Sequence, residues 1–370
     1  MGSLMYSGRL YLTVARRSVR TITTGKVEQA AGARNNKPLK QWTLIVNPQS
    51  RLRVRLPCSV AVSPQDPLVY PHSDRVFVRV SGVDCNVNRG LDLDSVEVRY
   101  DEASRQVIVN STDIDSQSCV EVTTPIRFDV DIKTSGTGCA SVKKIECDSC
   151  HIKTEKGNCI LQSVKSHTVH LHTDGGKVIC LGSVHGNMDI VASANSVVEI
   201  EKLLGTSINI CMDGGELKAK YLYADSSSIS SVSGNIILGS AHGDLDLHTE
   251  HGSITIDSLD GCLSASTSHG DISVYLSKIG QVNLKSEEGS ITVKVPETLS
   301  TSVQLSGTKV DVSPDIHLQD IQNKPSKNQI NLSASINVEK EKGKWIKAET
   351  KRGTVSLKPQ NWLQSIKFYT

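Results

Sequence analysis

The sequence predicts an all-β chain wound as a β-solenoid, and three observations carry that prediction. A glycine recurs every 18 to 20 residues over a long central stretch. An apolar-x-apolar pair follows most such glycines after one free position. A hydroxyl residue stands three positions before most of them. Thr249, Gly252, Ile254 and Ile256 are thus repeated as Thr267, Gly270, Ile272 and Val274, and again as Ser286, Gly289, Ile291 and Val293.

The marker series reads Gly138, Gly157, Gly176, Gly215, Gly234, Gly252, Gly270, Gly289 and Gly307, in steps of 19, 19, 39, 19, 18, 18, 19 and 18. The long step is two rungs with one marker missing. The vacancy falls at Asn195, and Asn is the residue other than glycine that best accepts a positive φ. A second series, Gly186, Gly205, Gly243, Gly261 and Gly280, lies midway between the first. Each rung is therefore two half-rungs of about nine residues, each a turn and a short alternating strand.

Alternation with period two sends one set of side chains inward, and glycine permits a tight corner. Four or five inward aliphatics contribute about 1.5–3 kcal/mol each. Ordering a rung costs about 1–2 kcal/mol per residue. One rung cannot stand alone, whereas a stack shares strand hydrogen bonds and one core. The expected architecture is a right-handed single-stranded β-helix with two short strands per rung, spanning residues 118–312.

An open solenoid needs caps, because unpaired strand edges invite aggregation. Residues 41–117 alternate but lack the marker, and predict a β cap unit. Pro314, Pro325 and many polar residues predict a loop over 313–331. Residues 332–370 predict a C-terminal β cap, with a hairpin from Lys344 to Leu357 that lays Trp345 over the last rung.

Composition narrows the function. Aromatics are 4% of the chain, poor material for platforms that stack sugars or bases. The 41 basic and 39 acidic residues are interspersed, so nucleic-acid binding is not expected. No run of 18 apolar residues predicts a transmembrane helix. The ten cysteines lack the spacing of a small secreted disulfide framework and predict mostly reduced thiols. Residues 1–27 hold Arg9, Arg16, Arg17, Arg20 and Lys26 and no acid, with Leu4, Leu10, Leu12 and Val14 among frequent Ser and Thr. That composition predicts a mitochondrial transit peptide, followed by a linker over 28–40.

Val120, Val122, Pro125, Phe128, Val130 and Ile132, followed by Ser135 and Gly138, resemble the entry to the "putative adhesin" domain, a β-solenoid family widespread in bacteria. With its presequence-like start the whole chain is similar to an animal member of that family. The resemblance spans roughly residues 40–310. It implies the repeat architecture and brings no catalytic residues to carry over.

Three clusters could carry chemistry. Cys147, Cys150 and His151 form a Cys-x-x-Cys-His motif that could hold a metal or work as a redox couple, with Cys139 and Cys159 within a rung's length. A second pair of ligands at zinc spacing is missing, and so is a βαβ setting for redox work. His167, His170 and His172 cluster, His251 and His269 precede marker glycines, and His185 and His242 precede glycines of the second series. A stacked imidazole ladder would suit a transition metal, while a repeating rung also repeats corner residues without a site. Asp244, Asp246, Asp257, Asp260 and Asp271 would supply carboxylates to a glycan-cleaving β-helix, or serve as ordinary turn residues. The glycines of Gly243 and its neighbours lack the doubling of a calcium-binding roll. The expected function is a non-catalytic mitochondrial scaffold or protein-interaction module without a cofactor. A glycan-binding or glycan-cleaving β-helix is the alternative.

Overall fold

Alternation places Ile254, Ile256, Leu259, Leu263, Ala265 and Thr267 on the inside of one rung, all buried. The same six positions recur in register along the stack. One column runs Val178, Val198, Leu217, Ile236, Ile254, Ile272 and Ile291 through parallel strand pairings. This is the geometry of a computed structural model that describes residues 38–82, 95–326, 329–337 and 343–360. The chain divides into residues 1–36 and Lys37–Thr370. The presequence assigned to 1–27 lies outside the described residues, as do most of the 28–40 linker and residues 361–370 of the C-terminal segment.

The chain is an all-β solenoid, with every named strand in one hydrogen-bonded sheet system. Early rungs keep two strands, as in Glu146–Thr154 and Cys159–Gln162. From Val178–Ala192 to Ile272–Glu288 the two halves fuse into strands that run through the second corner.

The marker glycines stack directly on one another. A Cβ built on Gly157 would lie 1.9 Å from the Gly138 carbonyl oxygen, and one on Gly176 would lie 1.9 Å from that of Gly157. Gly234, Gly252, Gly270 and Gly289 each face the preceding marker in the same way, at 1.6–2.0 Å. The demand for glycine is therefore a close approach of backbones. An inward hydroxyl three or four residues before the glycine serves some of these corners, while those of Thr154 and Thr249 are buried without a partner. Thr134 donates to the Gly138 carbonyl at 2.6 Å, Ser286 to the Gly270 carbonyl at 3.1 Å, and Thr173 accepts from the Gly176 N–H at 2.8 Å.

Three of the predicted corner positions move. Asn195 does not occupy the vacant place. Ser196 does: it is buried, and a Cβ on Gly215 would lie 2.0 Å from its carbonyl oxygen. Val178 pairs with Val198 at an offset of 20, so this rung holds one extra residue. Ala194 absorbs it with φ of 54°, and Asn195 sits exposed beside it. Gly280 is one residue off the second series, where Ile279 pairs with Gly261. Gly307 is likewise displaced, and Gly353 stacks on Gly289 at 2.0 Å instead.

That last substitution reveals the topology of the ends. Trp345–Arg352 pairs in parallel with Ile272–Glu288 on one side and with Thr301–Gly307 on the other. Thr354–Pro359 lies between Ile291–Val295 and Lys309–Val312. The segment from Trp345 to Pro359 is thus an inserted rung, not a terminal hairpin, and Trp345 is half-buried inside the stack. The N-terminal end mirrors it. Arg51–Leu56 lies between Gln106–Asn110 and Asp129–Thr134, and Ser59–Pro64 between Cys119–Thr124 and Ala140–Lys143. Leu52, Val54, Val60 and Val62 continue the core columns of Val130, Ile132, Ala140 and Val142. Part of the segment drawn as a cap over 41–117 is therefore solenoid.

Antiparallel strands close both ends. Glu97–Asp101 covers Gln106–Asn110, and Arg75–Ser81 covers Cys119–Thr124 with Pro38–Ile45 outside it. At the far end the expected loop is a hairpin. Gln329–Ile336 pairs with Thr301–Gly307, and Leu318–Ser326 pairs with it in turn. Pro325 falls in that outermost strand, where its missing donor costs no ladder bond.

Candidate functional site: an outer wall and an end groove

The strand that ends at the hydroxyl position presents alternate residues to solvent, and parallel register lines them into columns. The central column runs Arg53, Asp131, His151, His170, Asp189, Asn209, Ser228, Asp246, Ser264 and Asn283, one residue per rung. It is flanked by a second: Arg55, Lys133, Lys153, His172, Val191, Cys211, Ser230, His248, Ser266 and Lys285. Small polar side chains dominate beyond Asp189, so the surface there is flat. Rungs are cross-tied along it. The Asn209 amide donates to Asp189 at 2.9 Å, His170 Nδ1 lies 3.3 Å from the other Asp189 oxygen, and His248 meets Ser266 at 2.9 Å.

The histidines fall into this frame. His170 and His172 face outward together, and His172 Nε2 lies 2.8 Å from Asp174. His251 and His269 stack on adjacent rungs with ring centroids 4.8 Å apart. The pairing of His151 with His170, at 4.6 Å and 19°, is closer to parallel. Their spacing of 19 residues, one rung, was the signal for it. Burial and the neighbouring His170 hold His151 below the ordinary imidazole range. His185 and His242 share a column but are separated by Leu204 and Tyr223. Among the described residues no three Cys, His, Asp or Glu side chains converge as a metal site.

The candidate carboxylates do not gather either. Asp244 and Asp246 are exposed on the wall. Asp260 lies on the second corner, 3.6 Å from His242 and 3.5 Å from Lys278. Asp271 sits beyond the glycine corner, where it accepts the Ser290 N–H at 2.7 Å.

Cys147, Cys150 and His151 cannot share one ion, because successive strand residues point to opposite sides. Cys150 is buried in the core and His151 is exposed on the wall. Cys159 and Cys180 also replace aliphatics in core columns; burial raises their thiols, and the hydrogen bond to Cys147, with burial, raises that of Cys150. Cys139 is partly exposed near the glycine corner, where its sulfur accepts the Asn158 N–H at 3.3 Å. Cys85 lies outside the described residues. Cys147 differs from the rest: it lines an open groove of about 870 Å³ near the N-terminal end of the stack.

An extended parallel β-solenoid with glycine corners, closed by antiparallel strands and faced by a flat polar wall, defines the class of protein. Two matches to the Toastrack DUF4097 family model, over residues 72–242 and 237–358, cover most of the chain. The chain belongs to that family. Solved structures similar to it include a protein described as a "putative lipid binding protein" from Parabacteroides distasonis, at 12% identity and TM-score 0.37, covering 69% of this chain and 96% of its own. A second, from Bacteroides fragilis and described as a "putative adhesin", has 11% identity and TM-score 0.27, covering 87% and 96%.

Proposed function

We propose that this chain is a non-catalytic interaction module whose polar wall docks a partner protein. The observation that supports it is the register: outward columns of small polar side chains continue from rung to rung, tied by side-chain hydrogen bonds. A surface ordered before binding loses little entropy on docking. Carboxylates spread over separate sides of the rung suit such a module better than a glycan-cleaving groove.

Wall variants Ser228→Arg and Ser264→Arg put long cations in the middle of the flat region. Thr255→Arg, on the rung of Ser264, and Ser273→Arg, on the rung after it, place the same group on another side of the stack. Proximity labelling in intact cells should lose the same neighbours with both wall variants and keep them with both controls. Identical neighbour sets for all four would refute the wall as the docking surface.

We further propose delivery to mitochondria, on the acid-free, Arg-bearing composition of residues 1–27. A reporter carrying residues 1–30 should enter mitochondria; a reporter left in the cytosol overturns this reading.

A further inference from the structure

Nine cysteines are described, and Cys147 alone combines access to a groove with a second thiol at its side. The regular alternation of Glu146–Thr154 breaks at this point. Asp129 draws in the backbone N–H groups of Asp148 and Ser149, at 3.0 and 3.1 Å, through a single carboxylate oxygen. That local kink turns Cys147 back toward the core, where its sulfur meets the Cys150 thiol. Cys150 itself is fully buried and does not reach the groove. One thiol is therefore open to a reactant and the other is screened from it.

The surroundings favour a thiolate at Cys147. Hydrogen bonding from the Cys150 thiol is the largest influence and lowers its pKa, with the Ser166 hydroxyl, which also reaches the Thr168 carbonyl at 2.7 Å, as a further neighbour. Burial of Cys58, Cys119, Cys159 and Cys180 moves those thiols the opposite way, and the hydrogen bond to Cys147, with burial, raises Cys150. Four cations line the groove: Arg51, Arg105, Arg127 and Lys165. Asp129, Glu146 and Asp148 oppose them, leaving an excess of one positive charge. Arg51 is tied to Asp129 at 3.5 Å, and Arg127 and Lys165 share Glu146 at 4.0 and 3.5 Å. Arg105 makes no ion pair among the described residues.

We propose that Cys147 and Cys150 are a thiol–disulfide exchange pair, with Cys147 attacking a small carboxylate-bearing disulfide held in the groove and Cys150 resolving the product. In the first step the Cys147 thiolate attacks one sulfur of the small disulfide. A Cys147–S–S–R bond forms and the other half leaves as a thiolate. In the second step Cys150 sulfur attacks Cys147 sulfur while its proton passes to the departing sulfur. The Cys147–Cys150 bond forms and the second half leaves as a thiol. Two protein thiols are oxidised and one small disulfide is reduced to two thiols. This is independent of the wall.

The test uses the full chain with glutathione disulfide as the probe and mass spectrometry of alkylated peptides as the readout. The expected product is a Cys147–Cys150 linked peptide. Cys150→Ser should trap one glutathionyl group on Cys147, and Cys147→Ser should give neither. Arg51→Ser with Lys165→Ser should slow the reaction about tenfold for glutathione disulfide and leave hydroxyethyl disulfide unchanged. Equal rates with both probes would overturn the charge recognition. Two free thiols after oxidation, or adducts spread evenly over Cys139, Cys211 and Cys262, would overturn the pair. Should the variants fail to fold, the unaltered chain still decides: iodoacetamide must label Cys147 at least tenfold faster than Cys262, and equal labelling refutes the proposal.

Discussion

Gly157→Ala separates the two reasons a corner can require glycine. Its φ lies outside the left-handed region, so alanine meets no backbone strain there, yet its Cβ would sit 1.9 Å from the Gly138 carbonyl oxygen. Restoring an ordinary contact needs the two rungs to part locally by about 1 Å. Two rung-to-rung hydrogen bonds flank the corner, Lys156 N–H to the Gly136 carbonyl and Ala140 N–H to the Asn158 carbonyl, both at 2.9 Å. A shift of about 1 Å breaks both, at roughly 1–1.5 kcal/mol each, with more where a group stays unsatisfied. The expected loss is about 3 kcal/mol.

Gly136→Ala is the matched control. It has φ of 60° and nothing within 4 Å of a built Cβ, so only the conformational cost of about 1–2 kcal/mol applies. Gly234→Ala carries both penalties, with φ of 118° and a Cβ 1.6 Å from the Gly215 carbonyl oxygen, and should lose about 4–5 kcal/mol. Lys156→Ala should stay within about 0.5 kcal/mol of the parent. Urea unfolding followed by circular dichroism gives the ranking from the midpoints. If Gly157→Ala is no worse than Gly136→Ala, the stacked carbonyls are not what selects glycine.

The corner hydroxyls offer a second comparison: Thr173→Val removes the acceptor of the Gly176 N–H and should cost about 1–2 kcal/mol, while Thr249→Val replaces a buried hydroxyl with no partner and should be neutral or stabilising in the same unfolding assay. Burial pushes Cys58 and Cys180 up to about 12 and Cys159 higher, against an ordinary thiol near 9.0. The unfolded chain loses these protons first, so their contribution is full below pH 9 and declines above it, by up to about 1.4 kcal/mol per thiol per pH unit. Cys180→Ala should flatten the alkaline fall in stability measured by urea titrations at pH 8 to 10, and an unchanged slope would contradict the burial. Truncation after residue 342 deletes a rung from inside the stack and should abolish soluble monomer, whereas replacing 313–337 by a Gly-Ser linker only bares an edge and should leave a folded, aggregation-prone chain. A stable monomer from the truncation, seen by size exclusion, would refute the insertion.

The fold was legible wherever a rung follows its neighbour in sequence. Local spacing then equals spatial stacking, and Gly252, Gly270 and Gly289 declare it. The misplacement of Asn195 shows the limit of that reading. A residue suited to positive φ was assigned to a corner whose real demand is close approach, which Ser196 meets with a buried side chain and a strained neighbour at Ala194. The candidate metal-ligand sets are not brought together among the described residues, for a related reason. Neighbours along a strand, such as Cys150 and His151, part to opposite sides, while residues one rung apart, such as His151 and His170, meet.

The two inserted rungs were illegible because nothing local marks them. Residues 51–64 carry no glycine marker, and Cys58 holds that place. Gly353 continues the glycine column 64 residues after Gly289, beyond any fixed period. Yet both segments alternate like their neighbours and fill the same core columns, which is what parallel stacking requires. Each end rung in space is therefore not an end in sequence. A solenoid made by simple winding could fray from its termini, since the last rung is held on one side only. Here the segments near each end of the described chain are held on both sides, and the antiparallel strands beyond them close the edges. Fraying past Pro38–Ile45 at one end, or from Thr354–Pro359 at the other, must extract a strand paired with two neighbours, so the inserted rungs are among the better-protected parts of the stack. Hydrogen exchange should show this directly: amides of Val54 and Ile346 should exchange as slowly as that of Leu247, and rapid exchange at the first two would mean that the insertions do not form in solution.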